Sequence, residues 1–188
     1  MGPLSRSAGE KTEVVLYREG DWIVYGSAGP CQVLSVEKSD GGMGLERGKT
    51  YYKLSPLLDS SVIFAPVDTK VFMRPVLTRR EATELLEGIP TLEWEAYGGG
   101  SIRIQTERYK EAFASHDCGD LLRLIRGVYE KNRACAENGK RPGQLDLRYK
   151  KRAEELLHSE LSVALGIPYG QMQSYIEETV RRVEAAVE

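Results

Sequence analysis

The hydrophobic and polar positions change their period along the chain, from short alternating runs in the first half to a helical repeat in the second. Trp22-Ile23-Val24-Tyr25 and Cys31-Gln32-Val33-Leu34-Ser35-Val36 are rich in residues that favour strands. The turn residues 26–30 lie between these two runs, which therefore predict a β-hairpin. Two more strand-like runs follow, Tyr51-Tyr52-Lys53-Leu54 and Val62-Ile63-Phe64-Ala65-Pro66-Val67.

After residue 77 the apolar positions recur at helical spacing, and polar residues mark the ends of five predicted helices. Thr78 and Glu81 have the spacing of a capping box, and Gly88 ends this first helix. The second helix begins near Ser101, with Ile102, Tyr109 and Phe113 as its apolar positions, and Asp117 caps the third. A loop over residues 137–143 precedes a long fourth helix, which Gly166-Ile167-Pro168 ends, and an amphipathic fifth helix follows.

These patterns predict an α+β protein of two domains. Residues 1–12 form a polar tail that we expect to be disordered, residues 13–77 form a small antiparallel β-barrel, and residues 78–188 form a domain of about five helices. We expect Trp94 to be an apolar anchor in the core of the helical domain. Gly98-Gly99-Gly100 then gives the backbone freedom between two helices.

Composition limits the class of protein further. With 188 residues, 41% of them hydrophobic, the chain can bury a core, but no apolar run approaches the ~18 residues of a membrane span. The N-terminus lacks the apolar stretch of a secretory signal. The three cysteines are odd in number and widely spaced, which favours reduced thiols and a cytoplasmic location. A zinc site at His116, Cys118 and Cys135 would need a fourth ligand, so we expect no metal or cofactor.

The sequence also gives little sign of catalysis. Its two histidines, His116 and His158, do not lie near a Ser or Cys in a nucleophile motif. Gly98-Gly99-Gly100 does not follow a predicted strand, as a phosphate-binding glycine loop would. We therefore expect a binding protein rather than an enzyme.

Charge is distributed unevenly although the net charge is only −2. Residues 101–152 contain thirteen Lys and Arg against seven Asp and Glu, a local charge of +6. The flanking residues 79–100 and 153–188 carry −3 and −5. A basic face of this kind can hold nucleic acid through its phosphates without reading bases, although such residues are also common on solvated helix faces. The candidate DNA-binding cations among these thirteen are Arg103, Arg108, Lys110, Arg148, Lys150, Lys151 and Arg152.

An ordered set of motifs resembles the CarD/CdnL family of bacterial transcription regulators. The first are Gly20-Asp21-Trp22-Ile23-Val24-Tyr25-Gly26, the Gly-x-Cys-x-Val strand that begins at Gly29, Tyr51-Tyr52-Lys53-Leu54 and the strand that ends at Val67. The resemblance continues through Met73-Arg74-Pro75-Val76, Arg108-Tyr109-Lys110, the run from Asp120 to Arg126 and the run from Arg152 to Leu157. It covers roughly residues 16 to 168, and the order of the motifs is more specific than any single one.

The resemblance implies that the barrel is a Tudor-like domain that binds the β subunit of RNA polymerase. The comparable region of this chain contains Tyr51, Tyr52, Lys53, Ile63, Phe64 and Ala65. Relatives have a contact Arg at the position of Phe64, so individual contacts differ. About half of these strand residues must also face the core, because side chains alternate between the two faces of a strand.

The resemblance further implies that the helical domain binds upstream promoter DNA at the edge of the melted region. Relatives place a Trp wedge just before the Arg-Tyr-Lys motif, and this position falls on Gln105. Gln cannot unstack bases as an aromatic ring can, and Trp94 is the nearest Trp. The expected function is regulation of transcription initiation by a cytoplasmic, nucleoid-associated protein. The alternative is a polymerase-docking scaffold or competitor without productive DNA contact.

Overall fold

A computed structural model describes residues 16–94 and 101–187, which form a five-stranded antiparallel sheet followed by five α-helices. The strands are β1 (Trp22–Tyr25), β2 (Gly29–Lys38), β3 (Thr50–Pro56), β4 (Ile63–Pro66) and β5 (Met73–Pro75). The helices are α1 (Arg79–Glu87), α2 (Ile102–Ala114), α3 (Cys118–Glu137), α4 (Gln144–Leu165) and α5 (Met172–Val187). The α+β class is confirmed. The predicted tail and the run Gly98-Gly99-Gly100 lie outside the described residues.

The strands are ordered β4-β3-β2-β1-β5 in the sheet. The predicted hairpin is confirmed as β1 and β2, with Ile23 opposite Cys31. The pairing of β2 with β3 shifts between Val33 and Ser35, which makes Leu34 the extra residue of a bulge. Among the described strands, β4 and β5 each have one paired neighbour and do not pair with each other, so the sheet is open and the predicted barrel is not confirmed.

One face of the sheet forms its own hydrophobic core. The buried members are Ile23, Cys31, Val33, Tyr52, Leu54, Ala65 and Val67. The partly buried apolar side chains packed against them are Tyr17, Tyr25, Ala28, Val36, Ile63 and Met73. All of these residues precede α1. The sheet residues therefore form a hydrophobic core of their own, distinct from that of the helices.

The helices form a second core, and their predicted start and stop signals are confirmed. The N–H of Glu81 donates to the hydroxyl of Thr78 (3.3 Å), and the N–H of Thr78 donates to the Glu81 carboxylate (2.8 Å), which completes the capping box of α1. Ser101 and Asp117 cap α2 and α3. Gly166 ends α4 in the left-handed conformation, with φ +66°.

A buried carboxylate also links three of these helices. Asp146, in the first turn of α4, is only 2% exposed. Its oxygens accept the hydroxyl of Tyr109 from α2 and the ammonium of Lys131 from α3, each at 2.7 Å. These partners satisfy the charge that burial would otherwise make costly.

A second buried carboxylate, Glu160 of α4, connects the helices to the sheet. Arg74 of β5 donates to both of its oxygens, one of them at 2.9 Å. The N–H of Leu77 (3.0 Å) and the thiol of Cys118 (3.2 Å) donate to it as well. Burial lowers the pKa of Arg74, but the hydrogen bond and the charge of Glu160 outweigh burial and leave this pKa raised.

The turn between β1 and β2 also lies against α4. The guanidinium of Arg152 donates to the carbonyl of Ser27 (2.6 Å). Gly29 adopts φ +77°, and a Cβ there would lie 2.7 Å from the Leu156 side chain, so the close approach requires glycine. Within residues 16–94 and 101–187, every helix is too short or too polar to span a bilayer.

Candidate interaction surfaces

The six residues predicted to contact a polymerase differ strongly in burial. Tyr52 and Ala65 are fully buried, and Tyr51 is 8% exposed. The hydroxyl of Tyr52 accepts the N–H of Leu16 (2.9 Å), so this side chain stabilises the sheet. The remaining three, Lys53, Ile63 and Phe64, are half-buried. These three have the larger part of the side-chain surface with which a partner could make contact.

Strand β4 is one edge of the sheet, and its hydrogen bonds show which backbone groups face outward. The N–H of Val67 donates to the carbonyl of Thr50 (3.1 Å), and Ala65 lies opposite Tyr52. Along an antiparallel strand, the backbone N–H and C=O groups of successive residues point alternately toward the paired strand and away from it. The backbone groups of Ala65 therefore point toward β3, whereas those of Phe64 point to the open edge. The next outward residue, Pro66, has no N–H, and its carbonyl accepts the N–H of Thr69 (3.0 Å). Phe64 therefore carries the donor and acceptor that a partner strand could use.

A cleft of about 420 Å³ lies beside this edge, between the β2–β3 loop and the outer face of the sheet. Phe64 and Lys53 line it from the sheet, next to the ring of Tyr51. Met43 and Leu45 line it from the loop. Three of the residues predicted as a polymerase contact thus share one concave surface.

The basic residues of α2 are not equally available to a phosphate. Arg103 and Arg108 are exposed and make no ion pair with the described residues. Lys110 is also exposed but donates to the carboxylate of Glu107 (3.0 Å). The hydrogen bond to Glu107 raises the pKa of Lys110.

The basic residues of α4 are mostly engaged. Lys150 pairs with Glu154 (2.6 Å), and Arg152 pairs with Glu155 (3.2 Å) in addition to its bond to the sheet. The guanidinium of Arg148 lies 5.4 Å from the centre of the Tyr149 ring. Lys151 is exposed and has no ion-pair partner in the described part of the chain.

Gln105, which the resemblance aligns with a wedge Trp, is polar and half-buried. The amide oxygen of Gln105 accepts a hydrogen bond from Lys131 (3.5 Å). Trp94 is 36% exposed, so the prediction that it is a core anchor was wrong. Ile102 and Ile104 are 74% and 50% exposed at the start of α2.

The prediction that Ile102 belongs to the apolar face of α2 was therefore wrong. Tyr109 and Phe113 do pack on the ring of Tyr149, with ring centres 4.9 and 5.9 Å away. Ile102 lies about two turns nearer the N-terminus, about 10 Å along the axis, where the helix no longer contacts this ring. Periodicity identifies a helix face but not how far along that face the neighbouring helix reaches.

The predicted metal and catalytic alternatives gain no support from the geometry. His116 stacks on the ring of Phe72 with ring centres 4.3 Å apart, and burial lowers the pKa of His158. Burial, followed by the charge of Glu160, raises the pKa of the Cys118 thiol, which favours the thiol over the nucleophilic thiolate. In the part of the chain that the structure describes, no three His, Cys, Asp or Glu residues are grouped to hold a metal ion.

The chain matches no protein-family model, and no curated protein matches it.

Proposed function

We propose that this chain is a transcription regulator that binds the β subunit of RNA polymerase through its sheet and contacts upstream promoter DNA through its basic helices. In this role it changes the stability of the open promoter complex. The observation that carries the proposal is the open edge of β4, where the N–H and C=O of Phe64 point away from β3 beside a cleft and have no backbone partner among the described residues. A partner strand can extend such an edge by main-chain pairing.

The ordered motifs that resemble the CarD/CdnL family support a Tudor-like assignment for residues 13–77. The separate hydrophobic core that the sheet residues form is consistent with this assignment. The resemblance rests on the motifs alone. The polymerase contact and the nucleoid location follow from it as part of the proposal.

Three exposed cations support contact with DNA. Arg103, Arg108 and Lys151 have no ion-pair partner among the described residues, so phosphate binding would not require an existing pair to break. Contacts of this kind act on any duplex sequence. They fit a regulator that the polymerase positions on the promoter and that does not select its own site.

A second candidate is a polymerase-bound scaffold or competitor without productive DNA contact. Gln105 favours it, because this side chain is polar and its oxygen accepts a bond from Lys131. Lys110, Lys150 and Arg152 favour it as well, since each already has a carboxylate partner.

The lifetime of the open complex distinguishes the two candidates. Purified polymerase on a cognate promoter is challenged with heparin, with and without the full-length chain. If the chain is a regulator, the wild type should change the lifetime of the open complex at least twofold, and the Phe64→Asp variant should leave it unchanged. An unchanged lifetime with a chain that still binds polymerase would reject the regulator and favour the scaffold.

A further inference from the structure

The cleft beside β4 has apolar walls on both sides. Met43 and Leu45 form the loop wall, and Phe64 with the Tyr51 ring forms the sheet wall. Met43 is 78% exposed, which is unusual for a large apolar side chain in a short loop. A volume of about 420 Å³ is large enough for one bulky side chain and part of the backbone that carries it.

The loop wall is held in place before any partner arrives. Ser39 donates its N–H to the carbonyl of Lys49 (2.8 Å) and accepts the N–H of Gly48 (2.7 Å) at its own carbonyl. The hydroxyl of Tyr51 accepts the N–H of Glu46 (3.2 Å). Met43 itself adopts φ +54°, a left-handed conformation that non-glycine residues rarely adopt and that the closed loop maintains. A preformed wall lowers the entropy cost of binding.

Four charged side chains line the cleft, of which Glu37, Lys38 and Asp40 are exposed and Lys53 is half-buried. Lys53 is half-buried on the sheet wall, directly opposite Phe64, and forms no ion pair within residues 16–94 and 101–187. The carboxylate of Asp40, another lining residue, already accepts the N–H of Gly42 (2.9 Å). A partner that covered Lys53 without supplying a negative charge would bear the cost of burying an unpaired cation.

We infer that this cleft binds an extended protein segment that inserts one apolar side chain between Met43 and Phe64 and places a carboxylate against Lys53. The outward N–H and C=O of Phe64 fix such a segment in a strand-like conformation. This inference rests on the proposed polymerase docking and specifies the chemistry of the segment that docks. The apolar side chain supplies most of the affinity, and the carboxylate supplies selectivity.

The first test measures binding of the full-length chain to the isolated polymerase β subunit. Lys53→Glu and Met43→Asp should each weaken binding at least tenfold. Lys70→Glu, which makes the same charge change on an exposed residue that does not line the cleft, should alter it less than twofold. Met43→Asp replaces an exposed side chain, so this variant keeps the test valid even if Lys53→Glu fails to fold.

The second test needs no polymerase. A displayed library of random eight-residue peptides is selected on the immobilised full-length chain, and enriched peptides should carry an apolar residue near Asp or Glu. Their binding should fall at least tenfold on the Lys53→Glu variant. Absence of such peptides, or peptides that bind both proteins equally, would overturn the cleft inference.

The two tests separate failure of this inference from failure of the proposed function. If the β subunit binds wild type and both cleft variants equally, docking stands and the cleft inference fails. If the β subunit does not bind at all while acidic apolar peptides bind the cleft, the inference stands and polymerase docking fails.

Discussion

At the scale of single residues, Glu160 has the largest structural consequence. It is 3% exposed and accepts hydrogen bonds from a strand, a connecting segment and the start of α3. Local sequence does not distinguish it from Glu154 or Glu155 on the same helix. Its position between Leu157 and Leu161, both buried, is the one signal that this carboxylate faces inward.

Replacing Glu160 with Gln should lower the free energy of unfolding by about 3 kcal/mol, because it leaves Arg74 partly buried without its counterion. Urea denaturation of the full-length chain measures this change. Glu178→Gln, a change of the same type on an exposed residue of α5, is the matched control and should have little effect. Equal stability of the Glu160→Gln variant and the control would show that the ion pair contributes nothing net to folding.

At the scale of elements, the basic face of α2 and α4 is smaller than its sequence indicates. Charge counting assigns seven cations to it, but a count of charges ignores which of them have carboxylate partners. Lys150 and Glu154 are four residues apart and Arg152 and Glu155 three apart, spacings at which ion pairs form on a helix. Those pairs are predictable from the sequence, whereas the bond from Arg152 to Ser27, 125 residues away, is not.

Replacing Arg103, Arg108 and Lys151 together by Ala should weaken binding to unrelated DNA duplexes equally. The slope of log K against log salt should fall by up to about 2.7, since each lost phosphate contact contributes ~0.9. Titrations of labelled duplex at several salt concentrations measure it. A control that removes three exposed cations elsewhere, Lys70, Arg80 and Arg182, should keep the slope. If the slope fell equally in both variants, DNA binding would depend only on the net charge of the protein.

Element boundaries were more predictable than the burial of individual side chains. The capping box at Thr78, the cap at Asp117 and the stop at Gly166 are local signals, and the structure confirms them. Trp94 was predicted as a core anchor, and Ile102 was predicted as an apolar position of the second helix. Both are exposed, since burial depends on which neighbours reach them and not on their own chemistry.

At the scale of the whole molecule, the contacts between the sheet segment and the helical segment include three between residues far apart in the sequence. Arg74 binds Glu160, Arg152 binds the turn at Ser27, and the ring of Phe72 stacks on His116. The first of these joins residues 86 positions apart. Such contacts depend on the folded topology, so the sequence predicted the two halves but not how they meet.

These contacts with the helices come from β5 and from the β1–β2 turn. In strand order, β4 is at the opposite edge of the sheet from β5, so its open edge lies away from these contacts. A partner could therefore pair with β4 without breaking the bonds between the sheet and the helices. This arrangement is what an adaptor needs if one side binds polymerase while the helices stay positioned for DNA.

The most direct test of this account is capture of the purified RNA polymerase β subunit by the immobilised full-length chain. We predict that the wild type retains the β subunit and that Phe64→Asp, with an unchanged far-ultraviolet circular dichroism spectrum, does not. Failure of a folded wild-type chain to retain the β subunit would contradict the central claim.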